Sequence, residues 1–280
     1  MRFEVASEHM LFAESVRAAI GAWEPPREPE LGDWQDDRDD DLAARVREAG
    51  WAELWAGDEL LAAAVAGGIE LGRAAAPICL VDEATLGAPL WIDGRARHGL
   101  ATTSLAAPER EGGLGLGPPT SEARPEITLD GSGTVLVDVS ATGRLEDVAA
   151  AACWRAWNAA TLAYLAGLAQ RALELAVERA RSRQQFGAPL GALPAVQSRL
   201  ADAALDADAV TLLAWAAATA NEGLQEPALR FAGAACCRVT ASAHQVHGAV
   251  GFALETGLHA YHRRARSVAS WAAAAAAAAH

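Results

Sequence analysis

The sequence contains no lysine, and all 23 basic residues are arginine. That absence excludes Schiff-base chemistry on a lysine and a P-loop lysine. Cysteine is scarce: Cys79, Cys153, Cys236 and Cys237 occur, none in CxxC or Cys/His ligand spacing. Cys236-Cys237 lies within an apolar helical pattern and reads as a pair of small buried thiols. No HExxH, Glu-x-x-His, GxSxG or strand-to-helix GxGxxG is present, so zinc-protease, hydrolase-elbow and Rossmann schemes have no residues to rest on. No metal is expected. Long apolar runs are missing as well; the alanine tail at 272–279 is too short and too weakly hydrophobic to span a bilayer. The N-terminus, MRFEVASEHM, lacks a secretory apolar core. These absences make a cytoplasmic, reduced protein the expectation. The net charge of −13 argues against nucleic acid or an anionic membrane as the main partner.

What is present is a globular composition, 52% apolar over 280 residues, enough for a substantial core. Apolar residues recur at helical spacing in 1–22, in 42–49 and in 58–75. Between the first two, EPPREPELGDWQDDRDDD at 24–41 reads as a solvated connector rather than a cation site. Residues 77–145 are richer in Gly and Pro. Short β-like runs appear at Ile78–Val81, Ala101–Leu105, Glu126–Leu129 and Thr134–Val139, with a hairpin turn at 130–133 and a loop at Gly112–Pro119. From about 146 the chain reads as four long helices, 146–184, 194–221, 227–246 and 256–279, joined by short connections. The expected fold is mainly α with a small β domain. It divides into an N-terminal helical domain at 1–76, a short antiparallel β domain at 77–145 and a C-terminal antiparallel four-helix bundle at 146–280.

Two stretches carry chemistry. RSRQQFGAPLGALPAVQSRLAD at 181–202 ends a helix in arginines, stops at Phe186-Gly187 and restarts after Pro194. Arg183 there reads either as a solvated helix end, favoured by the helix dipole, or as a forked cation for a phosphate-bearing ligand. QVHGAVGF at 245–252 places Gly248 and Gly251 in an otherwise helical run, after Gln245 and His247. Glycine there permits close approach of a neighbouring helix or of a ligand.

Together with RRAR at 263–266, GW-x-EL at 50–54 and ELGRAAAP at 70–77, these stretches resemble the acyl-CoA dehydrogenase family, most fully over the C-terminal half. The resemblance implies a helical domain, a β domain and a four-helix bundle. It also implies FAD bound at subunit interfaces and removal of two hydrogens from the α,β carbons of an acyl-CoA thioester. Arg183 matches the arginine that grips the FAD pyrophosphate, and Phe186 the aromatic beside it. Gln245 and Gly248 match the loop that receives a neighbouring subunit's FAD, with Ala249 in place of a usual glycine. Thr103 and Ser104 fall on the strand that contacts the flavin edge.

The resemblance breaks at the reactive centre. The family's base, a glutamate that takes the α proton, corresponds to Ala272; the alternative base position corresponds to Trp157 or its near neighbours. The nearest acids, Glu146, Asp147, Glu174 and Glu255, match neither position. No catalytic residue is therefore assigned. The expectation is an FAD-dependent subunit acting on an acyl-CoA, from fatty-acid or steroid side-chain metabolism. A homologous subunit would supply the missing glutamate in a homo- or hetero-oligomer. The alternative is a non-catalytic binding or scaffold subunit of such an assembly.

Overall fold

The computed structural model describes residues 7–25, 37–51, 54, 60–82, 147–219 and 226–278, and six short strands between 90 and 145 by their backbone. Four helices open the chain: α1 (Ser7–Ile20), α2 (Asp37–Glu48), α3 (Leu61–Arg73) and the one-turn α4 (Cys79–Asp82). The strands follow as β1 (Leu90–Ile92), β2 (Arg95–His98), β3 (Ser104–Pro108), β4 (Leu114–Gly117), β5 (Val135–Asp138) and β6 (Gly143–Leu145). Then come α5 (Asp147–Ser182), the miniature strands β7 (Gln184–Gln185) and β8 (Ala188–Pro189), α6 (Pro194–Thr219), α7 (Glu226–His247) and α8 (Leu258–Ala278). The described residues are thus mostly helical, with one six-stranded sheet and one two-stranded sheet. Among them, no helix is long and apolar enough to cross a membrane.

Helix α5 runs 36 residues and packs against α3, α6, α7 and α8. Every residue from Ala156 to Ala169 is buried, so this stretch is apolar on all sides rather than along one stripe. One continuous apolar core joins Val16, Trp51 and Leu71 of the N-terminal helices to Trp157, Val210, Val239 and Ala272 of the C-terminal ones. Small residues let α3 and α5 cross closely: a Cβ on Gly72 would lie 2.1 Å from the Tyr164 carbonyl oxygen.

The end of α3 shows how the helices are locked. Ala75 takes a left-handed conformation (φ 50°). The N–H of Ala76 donates to Leu71 O and that of Ala75 to Gly72 O, a Schellman stop. The carbonyls beyond are then used from other helices. Tyr164 of α5 and Arg264 of α8 both donate to Ala76 O, and Tyr261 donates to Arg73 O at 2.9 Å. Indole Nε1 of Trp51 donates to Leu80 O at 2.9 Å.

Four expectations need correction. Residues 78–81 form a helical turn, not a strand, because Pro77 O and Ile78 O accept the N–H groups of Leu80 and Val81. The acidic connector ends earlier than read, since α2 starts at Asp37 and acidic groups suit a helix N-terminus. The loop at 112–119 contains β4, which pairs with β3 and β6. The sheet is mixed rather than antiparallel: its order is β5-β2-β1-β3-β4-β6, and β1 and β3 run parallel. β5 falls on the run read at 134–139 and pairs with β2; the run at 126–129 lies outside the described residues.

Candidate functional site

The site forms where α5 ends, α6 begins and α7 ends. The last turn of α5 carries Arg179, and Arg183 follows directly after the helix end at Ser182. The N–H of Arg183 donates to Arg179 O at 3.0 Å, and its carbonyl accepts from Leu190 N at 2.7 Å. Arg183 is therefore held by its backbone at the base of a two-residue hairpin. Phe186 and Gly187 form the tip between β7 and β8, at φ 53° and 80°. Positive φ at both positions is the type I′ requirement. For phenylalanine that conformation costs roughly 1 to 2 kcal/mol, a strain of the kind that clusters at functional sites. Phe186 is 90% exposed, so the chain's own core does not compensate for it. The helix stop expected at Phe186-Gly187 is thus a hairpin that thrusts an aromatic ring outward.

Gln245 lies in the last turn of α7. Gly248 follows in a 3-10 turn at 248–252, with φ 67° and open space where a Cβ would stand. Gly251 is different: a Cβ there would meet His247 Cβ at 2.8 Å. The two glycines thus divide the two readings of this loop, Gly251 serving packing and Gly248 facing space.

Arg183, Gln245 and Gly248 line one cavity of about 480 Å³, with Arg179, Gln185 and Arg199 also in its wall. No carboxylate lines it. Among the described residues, the buried Nε of Arg179 has no hydrogen-bond partner. A concave, acid-free site with several guanidiniums and amide groups fits a diphosphate, so the residues present fit FAD. Phe186 stands at the edge of this region, not among the residues of the cavity wall. Thr103 lies outside the described residues, and of Ser104 the structure gives only its place at the start of β3.

The two base positions are closed. Trp157 and Ala272 are both completely buried, and Trp157 stacks on Trp154 with ring centroids 5.3 Å apart. Glu174 is not a free base: Arg73 holds it through contacts of 2.7 and 2.9 Å, and Arg171 adds a third at 3.2 Å. Burial raises its pKa, but these arginines outweigh burial and keep it below the usual carboxylate range. Glu255 is exposed.

A second cavity, about 280 Å³ and mostly apolar, shares Gln245 and is lined by His244, His259, His262, Phe252 and Arg263. His244 meets His262 only across α7 and α8, so the spacing of histidines along either helix does not reveal this cluster. Their ring centroids lie 5.3 Å apart, and His262 Nδ1 is 2.9 Å from the Thr240 hydroxyl. Burial, then the neighbouring His262, holds His244 below the usual imidazole range; burial, then Arg266, does the same to His262. In the unfolded chain both titrate near pH 6.5. As pH falls below that value the unfolded state takes up protons first, so stability falls until the lower folded values are passed. Thermal melts from pH 8 to 5 should show this decline. The difference between the wild type and His244→Gln isolates the share of His244.

Comparison with known proteins defines the class. Residues 156–272 match the model of the acyl-CoA dehydrogenase C-terminal domain. The 3-sulfinopropanoyl-CoA desulfinase of Paraburkholderia xenovorans is 37% identical over 114 residues, 39% of this chain and 29% of that protein. The mitochondrial short-chain specific acyl-CoA dehydrogenase of Sus scrofa is 36% identical over 107 residues, 36% of this chain and 26% of that protein. The chain thus matches less than a third of the length of these relatives. The solved ChsE4-ChsE5 complex from Mycobacterium tuberculosis aligns with 98% of this chain and 96% of its counterpart, at a TM-score of 0.70 and 20% identity. The chain is thus similar to acyl-CoA dehydrogenases, in sequence over residues 156–272 and in fold over nearly all of its length. Two solved structures of similar fold, each 13% identical, are PigA with FAD and proline and a glutaryl-CoA dehydrogenase from Mycobacterium smegmatis with FADH2, at TM-scores of 0.69 and 0.68.

Proposed function

We propose that this chain is the cofactor-gripping subunit of an acyl-CoA dehydrogenase-type oxidoreductase, acting on the CH–CH bond next to an acyl-CoA thioester. The observation that carries this reading is a mismatch. Arg183, Gln245 and Gly248 converge on one cavity, while both base positions, Ala272 and Trp157, are apolar and sealed in the core. Arg183 would bind the FAD diphosphate through its fork, Gln245 would donate from its amide, and Gly248 would leave room for close approach. Thr103 and Ser104 would hydrogen-bond the flavin edge. Bound FAD would supply the hydride acceptor for the substrate's β carbon. The carboxylate that takes the α proton would come from a homologous partner subunit. Likeness to the ChsE4-ChsE5 complex supports such a paired arrangement. The layout in this reading is helical at 1–76, β at 77–145 and a helical bundle at 146–280.

The sealed base positions also favour a second reading, a scaffold subunit with no chemical role. Purification of the chain alone and with a homologous subunit, followed by flavin absorbance, separates the two. The expected result is flavin retained in the complex and bleached by an acyl-CoA, with Arg183→Ala lowering flavin content. A lone chain that binds stoichiometric FAD and is itself bleached sinks the split-site reading. An Arg183→Ala complex with unchanged flavin and activity leaves only the scaffold.

A further inference from the structure

We propose that Arg179 and Arg199 complete, with Arg183, a three-guanidinium seat for the diphosphate of an adenosine dinucleotide. This rests on the reading of the cavity as an FAD site and extends it to two arginines to which the resemblance assigns no role. Arg179 sits in the last turn of α5, four residues before Arg183, which follows directly after the helix; Arg199 reaches the same cavity from α6.

The state of Arg179 is the main argument. Its Nε is buried and donates to nothing among the described residues. Buried polar groups are paired in the great majority of cases, and a buried guanidinium N–H is a costly one to leave open. Arginines near a helix C-terminus can serve the last carbonyls, but among the described residues the Nε of Arg179 makes no such bond.

The second argument is the contrast with arginines elsewhere. Arg17 pairs with Glu70 at 2.8 Å, Arg73 with Glu174 at 2.7 Å and Arg238 with Asp206 at 2.7 Å. Arg179, Arg183 and Arg199 form no ion pair among the described residues, and no acid lines their cavity. Gathering like charges opposes folding unless an anion offsets them. The remaining wall mixes the polar Gln185, Gln245 and His247 with apolar Leu190, Val196, Val246 and Val250, a surface with room for an adenosine body beside the diphosphate.

The test uses the full chain and ADP as probe, followed by calorimetry at low and raised salt. ADP should bind, with affinity falling as salt rises. Arg179→Ala and Arg199→Ala should each weaken ADP binding roughly tenfold or more. Arg179→Lys, which keeps charge and loses the fork, should fall between. Melting without ligand checks that each variant folds; the glutamine variant at the same position replaces any alanine variant that does not. Loss of binding in Arg183→Ala alone, with Arg179→Ala and Arg199→Ala at wild-type affinity, overturns this proposal and leaves the FAD reading standing. ADP that fails to bind the wild type overturns both. Coenzyme A presents the same diphosphate beside a 3′-phosphate. If it binds more tightly than FAD, the cavity belongs to the substrate handle and the dinucleotide assignment falls.

Discussion

Gly167→Ala is expected to destabilise the protein by on the order of 3 kcal/mol, a fall in Tm of roughly 6 to 12 °C. A Cβ on Gly167 would lie 2.0 Å from Ile69 O, 2.6 Å from Arg73 N and 2.8 Å from Gly72 Cα. All three are backbone atoms of α3, so no side-chain rotation relieves the overlap. The helices must separate instead, and separation pulls on the contacts around it. Tyr164, one turn before Gly167, loses its position against Ala76 O, and Arg264 donates to both Ala76 O and the Tyr164 hydroxyl. Gly72→Ala should act alike, because its Cβ would meet Tyr164 O at 2.1 Å and Gly167 Cα at 3.0 Å. Once one substitution has parted the helices, the second has less to overcome. The double variant should therefore cost clearly less than the sum of the singles. Urea denaturation of the three variants measures this; additive costs would show that the two glycines serve separate contacts.

The same pair marks a limit of sequence reading. Apolar spacing located the long helices, since α5 to α8 fall within a few residues of the expected segments. Gly72, by contrast, reads in sequence as part of a helix stop. Only the crossing shows that its missing side chain is a contact, because no periodicity in one helix reports which residue of another it will touch. The strands were less legible for a related reason. Strands of three to five residues are too short for alternation to accumulate. Yet β1 and β2 flank Asp93-Gly94, a two-residue hairpin signal that is legible in the sequence. At the site, Arg183, Gln245 and Gly248 were found through a resemblance, and the cavity unites them. Arg179 was within reach of the sequence by simple spacing, four residues before Arg183. The cluster of His244 and His262 was not, since 18 residues and a turn separate the two rings that meet.

Ala272→Glu should fail to restore catalysis to the lone chain and should cost about 3 to 5 kcal/mol of stability at neutral pH. The substitution writes a carboxylate into a family base position, so it resembles a repair. Ala272, however, is completely buried, on the face of α8 that also buries Val268 and Arg264. A glutamate there must give up water with no partner in place. Arg264 does not serve as that partner. It lies eight residues away, about 12 Å along the helix axis, and already donates to Ala76 O and the Tyr164 hydroxyl. Burial pushes such a carboxyl's pKa upward, so its cost is full at neutral pH and shrinks as pH falls and the group protonates. The histidines pull wild-type stability the other way over the same range. They are common to both proteins and cancel in the difference between variant and wild type. Urea denaturation of both at pH 7.5 and 5.5, with acyl-CoA bleaching of any bound flavin, settles the point. A variant as stable as wild type at pH 7.5 whose flavin bleaches would show that position 272 opens onto the substrate. The base would then need no partner subunit.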